Sequence, residues 1–303
     1  GMNDEDTIKR YGFKTKFQQQ TNLMRHFDGE FICETEKIVV STSTMSEEDV
    51  LDCNVYRLLL ETMLRYAPVN ELFLFLDSMG MKRSDFMLAL INSISDVSDI
   101  AEYIEEYRKT IREERFDTEE EVIHYMEQVS KDYEHGLRGG GNLKYSMILW
   151  IECYEGMMSW IFQVLRSLLE LDNETLFQEA QALEDYLRSL YYDRSEPLSN
   201  PVTELTLKFD YDFLTWSQTV PTQPLHEFKR PMIYTFKATS LSTSSKNKIW
   251  QSFGFHRESN YTGAPGNIGR LYMSKIRRDI ESLPHLMPEI SPTSEFEVNW
   301  KFK

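Results

Sequence analysis

The clearest periodicity in the chain runs from Leu51 to Leu64. Leu51, Val55, Leu58, Leu59, Met63 and Leu64 recur at steps of three and four, so they share one stripe of a helix. The helix start is written into "TMSEED": Ser46 suits the N-cap, Asp49 stands three residues on at the capping-box position, and Glu47 and Glu48 face the positive end of the helix dipole. Pro68 ends it. The same kind of spacing predicts helices over about 70–79, 84–95, 98–115, 118–136, 143–172 and 174–193, separated by Gly80, Asp96, Asp117, Gly139 to Gly141 and Asn173.

On either side the pattern changes. "YGFKTKF" and "EFICETEKIVVSTST" alternate or are rich in β-branched residues without a helical period, as in short strands or an extended arm. Past the helices, "DRSEPLSNP" has the prolines and serines of a linker between Asp193 and Pro201. Strand patterns follow in "ELTLKFDY", "MIYTFKA" and the final "SEFEVNWKFK", with short helices near "DFLTWSQ", "SSKNKIWQSFG" and "GRLYMSKIRRDI". The expected fold is an α-rich α+β one: an extended arm or short strands over 1–45, a central helical bundle over 46–195, and a small α+β unit over 196–303.

Composition narrows the function classes. With 303 residues, 41% of them hydrophobic, the chain can build a sizeable core. A formal charge of −16 argues against nucleic acid and anionic membranes as partners, because phosphates demand clustered Lys and Arg. The Glu-, Lys- and Arg-dense run from Ile100 to Gly136 reads as solvated helix faces. The longest apolar stretch, Ser146 to Leu165, carries Glu152 and Glu155 at its middle, so it reads as a buried core helix and not a membrane span. Cys33, Cys53 and Cys153 are odd in number and far apart, which offers neither a disulfide framework nor a local metal motif and fits a reducing cytoplasm. No basic leader with an apolar segment opens the chain, and Gly1 before Met2 resembles a tag remnant, leaving room for Met2 to be internal to a longer gene.

Candidate chemistry is sparse. In "GAPGNIGR", Gly263, Gly266 and Gly269 precede Arg270 and a basic stretch with Lys275, Arg277 and Arg278, so backbone amides there could meet an anion. Pro265 interrupts the motif and no P-loop lysine follows, so a flexible loop explains the glycines equally well. Glu152 and Glu155, with Glu61 or Glu184 from other helices, have the makings of a carboxylate site in a bundle. The Glu-x-x-His pairing of such metal sites is missing. A buried polar cluster of Glu61, Glu152 and Glu155, satisfied by Tyr hydroxyls or by an arginine such as Arg166 and holding no metal, is therefore expected. His26, His124, His135, His226, His256 and His285 include no pair at helical ligand spacing, which argues against zinc. Trp150, Trp160, Tyr191 and Tyr192 read as core or interface anchors.

Two patches carry a resemblance. "KRYGFKTKF" followed by "ETEKIVVSTSTMSEEDVLDCNVYRLLLETML" resembles the segment just downstream of the catalytic barrel in radical S-adenosylmethionine proteins that carry an N-terminal cobalamin-binding domain. The matching positions are Tyr11, Gly12, Thr15, Lys16, Phe17, Glu36, Val39, Val40, Thr44, Met45, Ser46 and Asp49. "FDYDFLTW", "PLHEF" and "PMIYTF" resemble the far C-terminal part of the same proteins, and the patches together cover roughly a third of the chain. That family holds its iron–sulfur cluster in a CxxxCxxC loop, with one iron left open for S-adenosylmethionine; the three thiols here lack that spacing, and no DxHxxG-type cobalamin loop is present.

The resemblance implies a C-terminal accessory region that encloses a substrate or scaffolds the enzyme. The catalytic and cobalamin-binding domains would be its partners, and the cluster, S-adenosylmethionine and cobalamin would belong to the parent, so this chain alone is expected to be catalytically silent. The competing expectation is a stand-alone helical interaction module that binds a protein partner through a groove or an acidic face.

Overall fold

The computed structural model describes residues 4–64, 69–133, 145–146, 149–150, 153–169, 173–190, 204–237 and 279–284. The chain begins with a short helix, α1 (Glu5–Tyr11), inside the region expected to be an extended arm. Local chemistry accounts for it. Asp4 accepts from Thr7 N at 3.2 Å, acids occupy the first turn and bases the last. Gly12 ends α1 in the left-handed region at φ 61°, and a Cβ there would stand 3.2 Å from Ser43 Cβ.

The expected N-terminal strands follow, the first continuing beyond "YGFKTKF" to Phe27. β1 (Lys14–Phe27) and β2 (Glu30–Ser41) form an antiparallel hairpin with Phe27 opposite Glu30, Phe17 opposite Lys37 and Thr15 opposite Val39. Asp28 and Gly29 close it with φ of 51° and 84°, the positive-φ pair that matches the twist of adjoining strands.

The bundle then runs through α2 (Glu47–Leu64), α3 (Asn70–Ser78), α4 (Arg83–Asn92), a 3₁₀ turn (Ile94–Asp96), α5 (Ser98–Glu113), α6 (Glu119–Tyr133), α7 (Tyr154–Leu168) and α8 (Glu174–Leu190). The capping box at α2 forms: Asp49 N donates to Ser46 Oγ at 3.1 Å and Ser46 N to an Asp49 carboxylate oxygen at 2.7 Å. The hydrogen bonds from Ser46 hold the Asp49 carboxyl below its ordinary value. Thr118 and Glu121 repeat the device at α6, and Asn173 caps α8 by accepting from Leu176 N at 3.1 Å. Of the stripe read along α2, Leu64 is the exception, lying 48% exposed at the helix end. The single helix expected over 143–172 is interrupted, because Cys153, at φ −109° and ψ 19°, leaves helical geometry and starts α7, and Leu169 ends α7 in an extended conformation.

Past the bundle come β3 (Glu204–Tyr211), the one-turn α9 (Phe213–Trp216), a 3₁₀ turn (Leu225–Phe228), β4 (Lys229–Lys237) and β5 (Asp279–Pro284), with β4 central in an antiparallel sheet. The helix expected at "GRLYMSKIRRDI" is corrected at its last two residues, Asp279 and Ile280, which pair with Lys237 and Phe236; the rest of that segment lies outside the described residues. The open edge of β4 supplies backbone partners that local helix propensity cannot outweigh. The helix expected at "SSKNKIWQSFG", the strand at "SEFEVNWKFK", the glycine loop, Tyr191 and Tyr192 lie outside the described residues.

One hydrophobic core joins the bundle to the sheet, through α2 to α5, α7 and α8 and on into β3, α9 and β4. Its hinge point is Tyr186 of α8, stacked on Phe213 at 4.3 Å and edge-on to Phe209 and Tyr234. Trp150 and Trp160 are buried there, with indole N–H groups donating to Thr62 O at 2.7 Å and Ser93 Oγ at 2.8 Å. A second, smaller cluster lies apart: Val122 and Met126 of α6 against Phe17, Phe31, Cys33, Phe116 and Tyr125. Among the described residues no helix is long and apolar enough to cross a membrane.

Candidate functional site

Two of the buried acids among the described residues, Glu179 and Asp212, lie where α8 meets the sheet, and Asp212 follows from local folding. β3 ends at Tyr211, and Asp212 turns the chain into α9 by accepting from Thr215 N at 3.1 Å and Thr215 Oγ1 at 2.6 Å. Arg230 of β4 pairs with the same carboxylate, whose side chain is only 3% exposed. Burial pushes the Asp212 carboxyl up, but the bonds from Thr215 and Arg230 outweigh it and hold the group below its ordinary value. The Tyr234 hydroxyl accepts from Phe213 N at 2.8 Å and donates to Tyr211 O at 3.2 Å, with burial raising its phenol.

Next to this corner, Glu179 of α8 is 1% exposed and stands 3.0 Å from Nδ1 of His226, whose side chain is 53% exposed. His226 is fixed by the 3₁₀ turn, itself seated by buried Leu225 and by Trp216 Nε1 donating to Gln223 O at 2.8 Å. Burial raises the Glu179 carboxyl, opposed by His226 and Lys229. The buried carboxylate holds the half-exposed imidazole in one orientation. Lys229, over the Tyr211 ring at 6.0 Å, brings a cation to the same edge.

The raised Glu179 has a testable sign. Its folded state favours the uncharged form, so its stabilising contribution is present below the ordinary carboxyl value near 4.3 and is lost as pH rises through the higher folded value. Glu179→Gln, which keeps an oxygen acceptor for Nδ1, should therefore gain in Tm relative to the native protein as pH rises above the ordinary carboxyl value. A Tm difference that stays flat with pH in thermal unfolding would contradict the assignment.

The expected cluster of Glu61, Glu152 and Glu155 is not what the described residues form. Glu155 is 75% exposed and pairs with Arg188 at 2.5 Å. It falls on a polar stripe of α7 with Ser159, Gln163 and Ser167, while Met157, Met158, Trp160, Ile161, Phe162, Val164 and Leu165 are buried. Glu61 takes an ion pair from Arg57 one turn earlier at 3.1 Å. Glu152 lies outside the described residues, as do Gly263, Gly266, Gly269 and Arg270. The buried acid between α7 and α8 is instead Glu184, 8% exposed, with Arg166 at 2.7 Å and Arg188 at 2.8 Å. Arg188 also donates to Ser159 Oγ at 3.0 Å. This is a structural bolt, because the carboxylate's capacity is taken up by two guanidinium groups.

The thiols do not fit a cluster-binding loop. Cys33 is half-buried in the hairpin, Cys53 is exposed on α2 and Cys153 is buried in the main core. Among the described residues no three His, Cys, Asp or Glu side chains come together as metal ligands. Sequence reasoning missed the couple of Glu179 and His226, although one signal was available: Glu179 adjoins Ala180 on the apolar stripe of α8, where a buried acid needs a partner. Compared with protein-family models and with curated proteins, the chain matches none of them.

Proposed function

We propose that this chain is the C-terminal accessory region of a radical S-adenosylmethionine protein with a cobalamin-binding domain, packing beside the catalytic barrel in the cytoplasm and helping to enclose the substrate. What supports the reading is the use made of the residues that carry the resemblance: they build the fold. Tyr11 O accepts from Ser43 N at 2.8 Å beside Gly12, and Ser46 with Asp49 caps α2. Phe17 pairs with Phe116, and Asp212 with Arg230 locks the second patch. Residues spent on caps, register and a buried ion pair are those of a scaffold, and a scaffold that excludes water protects radical intermediates formed by its partner.

In this reading the cluster, S-adenosylmethionine and cobalamin are held by the parent's other domains. His226, oriented by Glu179, is the side chain assigned to face the substrate. The test is association. The separately expressed cobalamin-and-barrel portion of the parent should form a one-to-one complex with this chain on size exclusion. His226→Ala should leave that complex intact and lower turnover. Failure of the two parts to associate would favour the stand-alone interaction module.

A further inference from the structure

We infer that the β1–β2 hairpin and α6 form a flap that opens as one unit while the bundle stays folded. Four observations place it. First, α6 packs chiefly against β1 and β2, and the cluster it makes with them is separate from the main core. Among the described residues that cluster has two buried apolar side chains, Val122 and Met126, far fewer than the main core.

Second, the flap is tied to itself. Phe17 N donates to Phe116 O at 2.8 Å and Phe116 N to Phe17 O at 2.9 Å, pinning β1 to the lead-in of α6. Lys16 pairs with Asp117 at 2.5 Å and Thr35 Oγ1 donates to Glu119 at 2.5 Å, so both strands are joined to the start of the same helix.

Third, the seam toward the bundle is polar. Arg115, 5% exposed, reaches Glu47 of α2 only at 3.4 Å, its Nε finds no hydrogen-bond partner, and burial lowers its pKa. A buried guanidinium with a long ion pair closes a seam weakly compared with an aromatic core. Fourth, the far end is anchored. Val40 and Ser41 are buried where β2 adjoins α2, Thr42 Oγ1 accepts from Met45 N at 3.0 Å, and Gly12 sits against Ser43. This fixed end is the hinge about which the rest of the hairpin moves. Regions held by few apolar contacts open sub-globally at a fraction of the global unfolding free energy.

The chain's own thiols report the motion. Cys33 lies in the flap cluster, Cys153 in the main core, and Cys53→Ser removes the exposed third thiol. Iodoacetamide modification under native conditions, followed by mass spectrometry, should label Cys33 well before Cys153. Val122→Ala should speed Cys33 labelling about tenfold or more and leave Cys153 unchanged. Leu183→Ala, in the main core, should act on Cys153. Because a half-buried thiol can react without any opening, hydrogen exchange provides the second reading: in Val122→Ala, amides of β1, β2 and α6 should accelerate together while those of α2, α7 and α8 do not. Equal acceleration of both thiols, independent exchange of hairpin and α6, or loss of the folded bundle in Val122→Ala would overturn the inference.

Discussion

Tyr186→Ala is expected to destabilise the protein by about 4 kcal/mol, the largest effect of any change considered. The ring is 1% exposed and joins α8 to the aromatic cluster of the sheet: stacked on Phe213 at 4.3 Å, edge-on to Phe209 at 5.9 Å and to Tyr234 at 5.6 Å, with Phe236 at 6.2 Å. Its removal leaves a void between α8 and the sheet that four aromatic rings, each fixed by its neighbours, are poorly able to fill. Tyr186→Phe keeps the stack and should lose at most about 1 kcal/mol. Urea denaturation of the pair decides it: a small loss for the alanine variant would mean that the sheet does not depend on α8 for its core.

Glu184→Ala is expected to cost about 2–3 kcal/mol, below the full range for breaking a buried ion pair because Arg166 and Arg188 retain 31% and 26% exposure and regain some hydration. The cost arises chiefly from Arg166, which loses its carboxylate partner, while Arg188 keeps Glu155 and Ser159. Replacing all three residues, as in Arg166→Met with Glu184→Leu and Arg188→Met, should recover most of the loss, since no charge is then stranded. If the single and triple variants are equally unstable in urea, the packing of the side-chain stems matters and the charge does not.

These two predictions draw on parts of the molecule with very different legibility. The helix from Glu47 to Leu64 could be read from sequence because everything that defines it is local: a cap, acids in the first turn and an apolar stripe. α7 was legible as a buried helix, yet the place of Glu155 was not. In so apolar a segment the polar stripe is narrow, and its direction is set by which helices pack around it. β5 depends on the edge of β4, more than forty residues earlier, so its first two residues, Asp279 and Ile280, read from local sequence as the end of a helix. Glu179 and His226 meet across a separation of 47 residues through a turn whose seat is tertiary. Glu184 and its partner Arg166 were among the candidates, because a buried carboxylate in a bundle needs a nearby cation, whereas Glu179 and Asp212 found theirs in the sheet region.

The same reasoning bears on the accessory role. In this chain the residues that carry the resemblance cap helices and pin the hairpin and the sheet corner, and the thiols stand in three unlike surroundings. Radical chemistry, on this account, is supplied by a partner region of a longer polypeptide. Anaerobic purification and reconstitution of the full gene product, with iron and S-adenosylmethionine cleavage measured beside this 303-residue chain, tests that most directly. The account predicts a bound iron–sulfur cluster and cleavage in the full product and neither in this chain. A full product without iron, or cleavage by this chain alone, would contradict it.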